Sequence, residues 1–197
     1  MSNRHNAIRN ITTNLLNEVC KDVCVEPALT ALSGESIVPK SANTSSEARL
    51  DISARGVWTT GQRAFFDIRV FNPFARRYNG LTLSQAYRAN ENEKKRMYND
   101  RIMSIEHGTF TPLVFCASGG MAPECRSFYK QLSSLISIHR KESYSVVAAW
   151  VKTKLSFALI RSAVLCIRGT RHPYYKTIDT DAGDIKFEMK STNIDDE

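Results

Sequence analysis

The chain has 197 residues, 42% of them hydrophobic, and 27 Lys and Arg stand against 20 Asp and Glu, a formal net charge of +7. That apolar fraction is enough for a packed core, which excludes wholesale disorder, and the length suits one domain with a helical extension or a loose tail. No apolar run approaches the ~20 residues of a membrane span, and the opening MSNRHNAIRN lacks the apolar stretch of a secretory signal, so no membrane partner and an intracellular protein are expected.

The charge is unevenly spread. Thr177–Glu197 holds seven acids and two lysines, while the preceding 176 residues carry 25 bases and 13 acids, a net of +12. A basic body of that kind favours a polyanionic partner through counterion release, and nucleic acid is the expected one. The five cysteines, Cys20, Cys24, Cys116, Cys125 and Cys166, are odd in number and sit mostly in apolar segments, which fits buried thiols rather than disulfides or a zinc site.

In chain order, Ile8, Ile11, Leu15, Leu16 and Val19 recur at helical spacing and predict an amphipathic helix from about Arg4 to Cys20, with Asn3 as its cap. VCVEPALTAL reads as a short, Pro-interrupted edge strand, and SGESIVPKSANTSSEA as a loop. ARLDISARGVW and RAFFDIRVF are two strands joined by the turn TTGQ. Leu50 and Ile52 oppose Asp51 and Ser53; Phe66, Ile68 and Val70 oppose Asp67 and Arg69. Pairing through the turn sets Asp51 and Asp67 on one face in one register and on opposite faces after a one-residue slip, which leaves the register open.

NPFARRYNG is a connecting loop, and Leu83 to Ile105 a helix with Leu83, Tyr87, Lys94, Tyr98 and Ile102 near one face. FTPLVFCASGG is a buried strand closed by two glycines. Helices over about Pro123–His139 and Ser145–Arg168 follow, marked by Phe128, Leu132, Leu135 and Ile136 in the first and Val147, Val151, Leu155, Leu159 and Leu165 in the second, with Gly169 as a stop. This order predicts a mixed α/β sheet with helices on both faces.

Two carboxylates on adjacent strands, followed by a cation, are the core of a divalent-metal site for phosphodiester hydrolysis. Here those residues are Asp51, Asp67 and Arg69, with Glu18 of the first helix as a further oxygen donor. Asp-x-Arg also occurs as a solvated surface ion pair. The apolar setting of Asp67, between Phe66 and Ile68, favours a cleft or a metal, because an unpaired charge there is costly.

The strings RHNAIRNITTNLLNEVC, EARLDISARGVW, QRAFFDIRVFNPFA, NEKKRMY, HGTFTPLVFCASGGM and KLSFALIRSAVLCIRG resemble a domain that follows the reverse transcriptase in certain animal retroelement polyproteins. The likeness spans about residues 4–171 and implies a PD-(D/E)XK, restriction-endonuclease-like fold with an αβββαβ core, here followed by two C-terminal helices. It implies a Mg²⁺- or Mn²⁺-dependent endonuclease that nicks DNA, a nuclear setting, and a reverse transcriptase module in a larger polyprotein. Asp51 falls at that fold's first acid and Asp67-Ile68-Arg69 at its acid-x-Lys position. The chain departs from the pattern at Arg69, since a guanidinium cannot give up a proton to act as a base. Some families of the fold supply the lysine from the following helix, where Lys94 and Lys95 stand. Lys94, sharing a face with Tyr98, is the preferred donor, and Lys95 the alternative. A solvated basic run that touches phosphates is the competing reading of this segment.

His5 and Arg9 match the RHN-x-IR string and are expected to contact a phosphate near the first helix, although His5 also suits a helix-capping region. His107 and His139 read as packing or surface residues. Ser118-Gly119-Gly120 reads as a turn, and Lys152, Lys154, Arg161, Arg168 and Arg171 suit either a DNA-facing surface or stems lying over the core. The expected division is a nuclease-like domain over 1–171 and an acidic tail over 172–197. Two other readings stand beside a nuclease: a nucleic-acid-binding domain that keeps the fold without catalysis, and a helix-turn-helix binder within 121–171.

Overall fold

The structure is a computed structural model that describes residues 3–30 and 50–168. The expected polar loop at 33–48, the helix stop at Gly169 and the acidic tail lie outside the described residues. The elements are helix α1 (Asn3–Val19), strands β1 (Lys21–Val25), β2 (Ile52–Arg55) and β3 (Arg63–Phe71), helix α2 (Leu83–Ser104), strand β4 (Thr109–Cys116), and helices α3 (Pro123–Arg140) and α4 (Tyr144–Arg168). One 3₁₀ turn, Arg76–Tyr78, precedes α2. The protein is therefore an α/β fold built on a mixed four-stranded sheet, ordered β1-β2-β3-β4, with β3 and β4 parallel and the other pairs antiparallel.

The parallel pair needs a crossover, and α2 supplies it. β4 is buried along almost its whole length because helices cover both of its faces, which is why FTPLVFC is almost wholly apolar, Thr111 accepting the Trp58 indole N–H at 3.2 Å. On one face Phe66 of β3 meets Phe128 of α3, with ring centroids 4.7 Å apart; Ile8, Leu15 and Leu16 of α1 and Val147, Val151 and Leu155 of α4 join that core. On the other face α2 lays Tyr98 and Ile102 over Phe65 and Phe110. Thr82 and Gln85 form a reciprocal capping box that starts α2.

Some boundaries differ from the sequence reading, each for a physical reason. GVW, expected in a strand, lies in the turn, because Gly56 takes φ +91° and ends β2 one residue earlier. α1 already includes Asn3, so the helix begins before its expected cap. Leu83 and Leu165 are 48% and 47% exposed, and the buried face of α2 instead takes in Ala86, Asn90 and Glu91. Asn90 is satisfied there by the Tyr78 hydroxyl, which donates to Oδ1 at 2.9 Å, and by the Ala86 carbonyl.

Gly108, between α2 and β4, is a close-approach position. A Cβ there would stand 2.7 Å from the Arg63 carbonyl oxygen and 2.9 Å from the Phe65 ring, neither of which is free to retreat. Gly108→Ala is expected to cost about 1–3 kcal/mol, as overpacking does, measured as a lowered urea midpoint.

Candidate active site

The site forms where the pairing of β2 with β3 ends. The last matched pair is Ile52↔Phe66, and one residue earlier the backbone of Asp51 is held from two sides. Its N–H donates to the Phe66 carbonyl at 3.1 Å, and its carbonyl accepts the Glu26 N–H at 2.9 Å. Beyond this point β3 has no strand on its β2 side to accept the Ile68 N–H, β4 lying along the other side. Asp51 Oδ2 takes that role at 2.6 Å and also meets His5 Nε2 at 2.9 Å. The open question of register thus has a specific outcome: the Asp51 carboxylate turns onto the β3 backbone beside Asp67 instead of standing in a regular cross-strand pair.

Asp67 is 5% exposed and faces α2, where Lys94 Nζ lies 2.8 Å from Oδ2. Lys94 also sits 5.5 Å from the centroid of the buried Tyr98 ring. Burial pushes the Asp67 carboxyl up to about 6; Lys94 opposes this and the negative charge of Asp51 adds to it. The hydrogen bond to Asp51 raises His5 above the usual imidazole value, against the effect of its burial. Two neighbouring carboxylates thus sit in different surroundings, Asp67 buried against Lys94 and Asp51 shared between a peptide N–H and an imidazole.

The other anticipated residues are placed as follows. Arg9 Nη1 reaches Glu26 Oε1 at 2.8 Å, and because Glu26 bonds the Asp51 backbone, this pair borders the cluster. Arg69 leaves Asp67 and joins Glu93 at 3.0 Å, while Arg77 holds the second oxygen of Glu93 at 2.8 Å. Lys95 points away from Asp67 to Glu124, at 2.6 Å. Of the two helix lysines, Lys94 is the one at the acids. Glu18 requires correction as a metal donor. It is thirteen residues beyond His5, roughly 20 Å along a helix at 1.5 Å per residue, and Arg140 engages both of its oxygens, the Nη2–Oε2 distance being 2.9 Å. That pairing lowers the Glu18 pKa and ties α1 to α3.

Three residues of this region carry no signal in the sequence: Glu26, Glu93 and Glu91. Glu91 is buried, its carboxyl raised by burial, and it accepts the Glu124 N–H at 2.9 Å, so a side chain of α2 caps the start of α3. Their roles depend on partners 16 to 33 positions away, beyond any local pattern.

The donor chemistry can be set against a divalent ion. Among the described residues no group of three or more His, Cys, Asp or Glu side chains gathers as a complete cage. Asp51 spends Oδ2 on Ile68 and His5, and Asp67 meets Lys94 through Oδ2; among the described residues the Oδ1 atoms of both acids have no hydrogen-bond partner. Two free carboxylate oxygens with the other positions left to water and phosphate fit Mg²⁺ or Mn²⁺ and do not fit a structural zinc.

Asp51→Ala removes a charge-assisted acceptor and leaves the Ile68 N–H unsatisfied. It is expected to lower stability by about 2 kcal/mol, whereas Asp51→Asn, whose amide oxygen still accepts, loses less than half of that; paired urea denaturation curves give the comparison.

No known protein-family profile matches the chain, and no curated protein matches it significantly. Among the described residues no helix is long and apolar enough to cross a membrane.

Proposed function

We propose that this chain is a metal-dependent endonuclease domain of the PD-(D/E)XK type, of retroelement origin, that nicks DNA in the nucleus. The observation that carries the reading is the convergence of Asp51 and Asp67 where the β2–β3 pairing stops, with Lys94 of the next helix held on Asp67. Asp51 and Asp67 would hold Mg²⁺ or Mn²⁺, which when bound supplies Lewis acidity toward a phosphodiester. Lys94, already directed at the acids, offsets the negative charge that builds on the phosphate and takes the place of the strand lysine that Arg69 replaces. His5 fixes the orientation of the Asp51 carboxylate from α1. Arg9, Arg69 and Lys95 lie around this group and are proposed to meet the DNA backbone, while Tyr98, buried beneath Lys94, supports that lysine and does not reach DNA. A reverse transcriptase module in a larger polyprotein is the proposed companion.

The test is a supercoiled plasmid incubated with purified protein and Mg²⁺ or Mn²⁺. Conversion to open circles that EDTA stops is the expected result; intact plasmid at every metal concentration overturns hydrolysis. Nicking is also expected to rise with pH through about 6, because only the ionised Asp67 is a ligand.

One observation favours a second reading, a nucleic-acid-binding domain without catalysis. Arg69, at the position of the strand lysine, is neutralised by Glu93, and Lys94 already neutralises Asp67. Retained DNA binding with no nicking identifies that case.

A further inference from the structure

We propose that the groove between α3 and α4 is a second nucleic-acid site, one that takes a single strand. Its volume is about 490 Å³. The floor is apolar, with buried Tyr129 and Leu155, and the lining carries Arg126, Lys130 and Lys152 but no carboxylate. Arg126 and Lys130 stand one turn apart on α3, and Lys152 faces them from α4, a helix with no acid anywhere along its length. Among the described residues Lys130 and Lys152 have no ion-pair partner, and Arg126 donates only to the Met121 carbonyl, at 3.4 Å. Three exposed cations with no counter-ion among the described residues, over an apolar floor, select an anion with an apolar part.

Tyr144, the first residue of α4, is 45% exposed in the same lining. An exposed aromatic ring beside clustered cations is the combination that binds unpaired nucleotides, since every base has a face that stacks and every linkage carries a charge. Bases in a duplex are already stacked on their neighbours and cannot enter such a groove. The groove lies on the face of the sheet covered by α3, whereas Asp67 and Lys94 meet on the face covered by α2. Occupancy of the groove therefore does not require hydrolysis at the acids.

The full chain, in EDTA so that nothing is cut, is titrated into a fluorescein-labelled (dT)15 strand and into a duplex of equal length, read by anisotropy. The strand is expected to bind tighter than the duplex. The double substitution K130E/K152E is expected to weaken strand binding at least ~10-fold and to reduce the slope of log K against log salt by about 1.4, near 0.7 for each phosphate no longer neutralised. Tyr144→Ala, a surface change, weakens it about 5-fold or more. Wild-type affinity in a double variant whose circular dichroism and melting temperature are normal overturns the site. Displacement of the strand by polyglutamate at equal charge, or equal binding of strand and duplex with no effect of Tyr144, overturns the selectivity. Should K130E/K152E fail to fold, K130Q/K152Q gives the same comparison. A protein that binds (dT)15 here yet never nicks plasmid sustains this proposal and refutes the hydrolytic one.

Discussion

Asp67→Asn is expected to lower Mg²⁺-dependent plasmid nicking by at least ~10³-fold, about 4 kcal/mol of barrier at 1.36 kcal/mol per tenfold, while making the protein more stable at neutral pH. Both effects follow from one carboxylate that is 5% exposed. In the unfolded chain this group loses its proton near its ordinary value of 3.8, and in the fold only near 6. Between those values the folded state binds more protons than the unfolded state, so stability falls as pH rises. Above about pH 6 the carboxylate costs about 3 kcal/mol relative to pH below 4. Asparagine has nearly the same shape and no charge to bury. Urea denaturation at pH 4.5 and 7.5 is expected to show a smaller pH dependence in the variant than in the wild type, with the difference assigned to Asp67 because His5 titrates in both.

Lys94→Met is expected to have the converse effect on stability and the same effect on activity. It takes away the ammonium ion-paired with Asp67 at 2.8 Å and leaves a buried carboxylate beside the charge of Asp51. Breaking a fully buried pair costs about 3–5 kcal/mol; Lys94 retains some solvent contact, so about 2 kcal/mol is expected at pH 7.5. The loss shrinks toward pH 5, where Asp67 takes up a proton, and Asp67→Asn added to Lys94→Met restores most of it. Nicking falls at least ~10²-fold if Lys94 supplies the positive charge at the phosphate. Lys95→Met is the control. Its ammonium belongs to Glu124, so nicking changes less than about threefold.

The order of elements was legible because each carries its own period: Ile8, Leu15 and Leu16 mark α1, Phe128, Leu132 and Ile136 mark α3, and the almost wholly apolar FTPLVFC run marks a strand buried on both faces. Asp51 and Asp67 were legible as candidates from residue type and spacing, and Lys94 only through the family resemblance. Their meeting was not, because it depends on where β2 stops. Gly56 ends that strand at one end, and at the other Asp51 leaves the ladder to take the Ile68 N–H, a choice made by backbone geometry. Glu18 looked available because a helical pattern tells which face a residue occupies and not which end of the sheet that part of the helix reaches. His5 and Glu18 lie on the same helix, yet one meets Asp51 and the other Arg140. The partners of Arg69 and Lys95 were hidden for a related reason. Glu93 and Glu124 come from separate helices, and only the packing of α2 against the sheet and α3 assigns each base its acid.

The pairing of Asp51 and Asp67 as joint holders of one divalent ion is tested most directly by Mn²⁺ binding, followed through the paramagnetic resonance signal of the free ion. The wild-type chain is expected to remove one ion per molecule from solution. Asp51→Asn and Asp67→Asn, which keep the hydrogen-bond acceptors and remove the charges, are each expected to abolish that uptake. Binding that is unchanged in both variants would contradict the shared site.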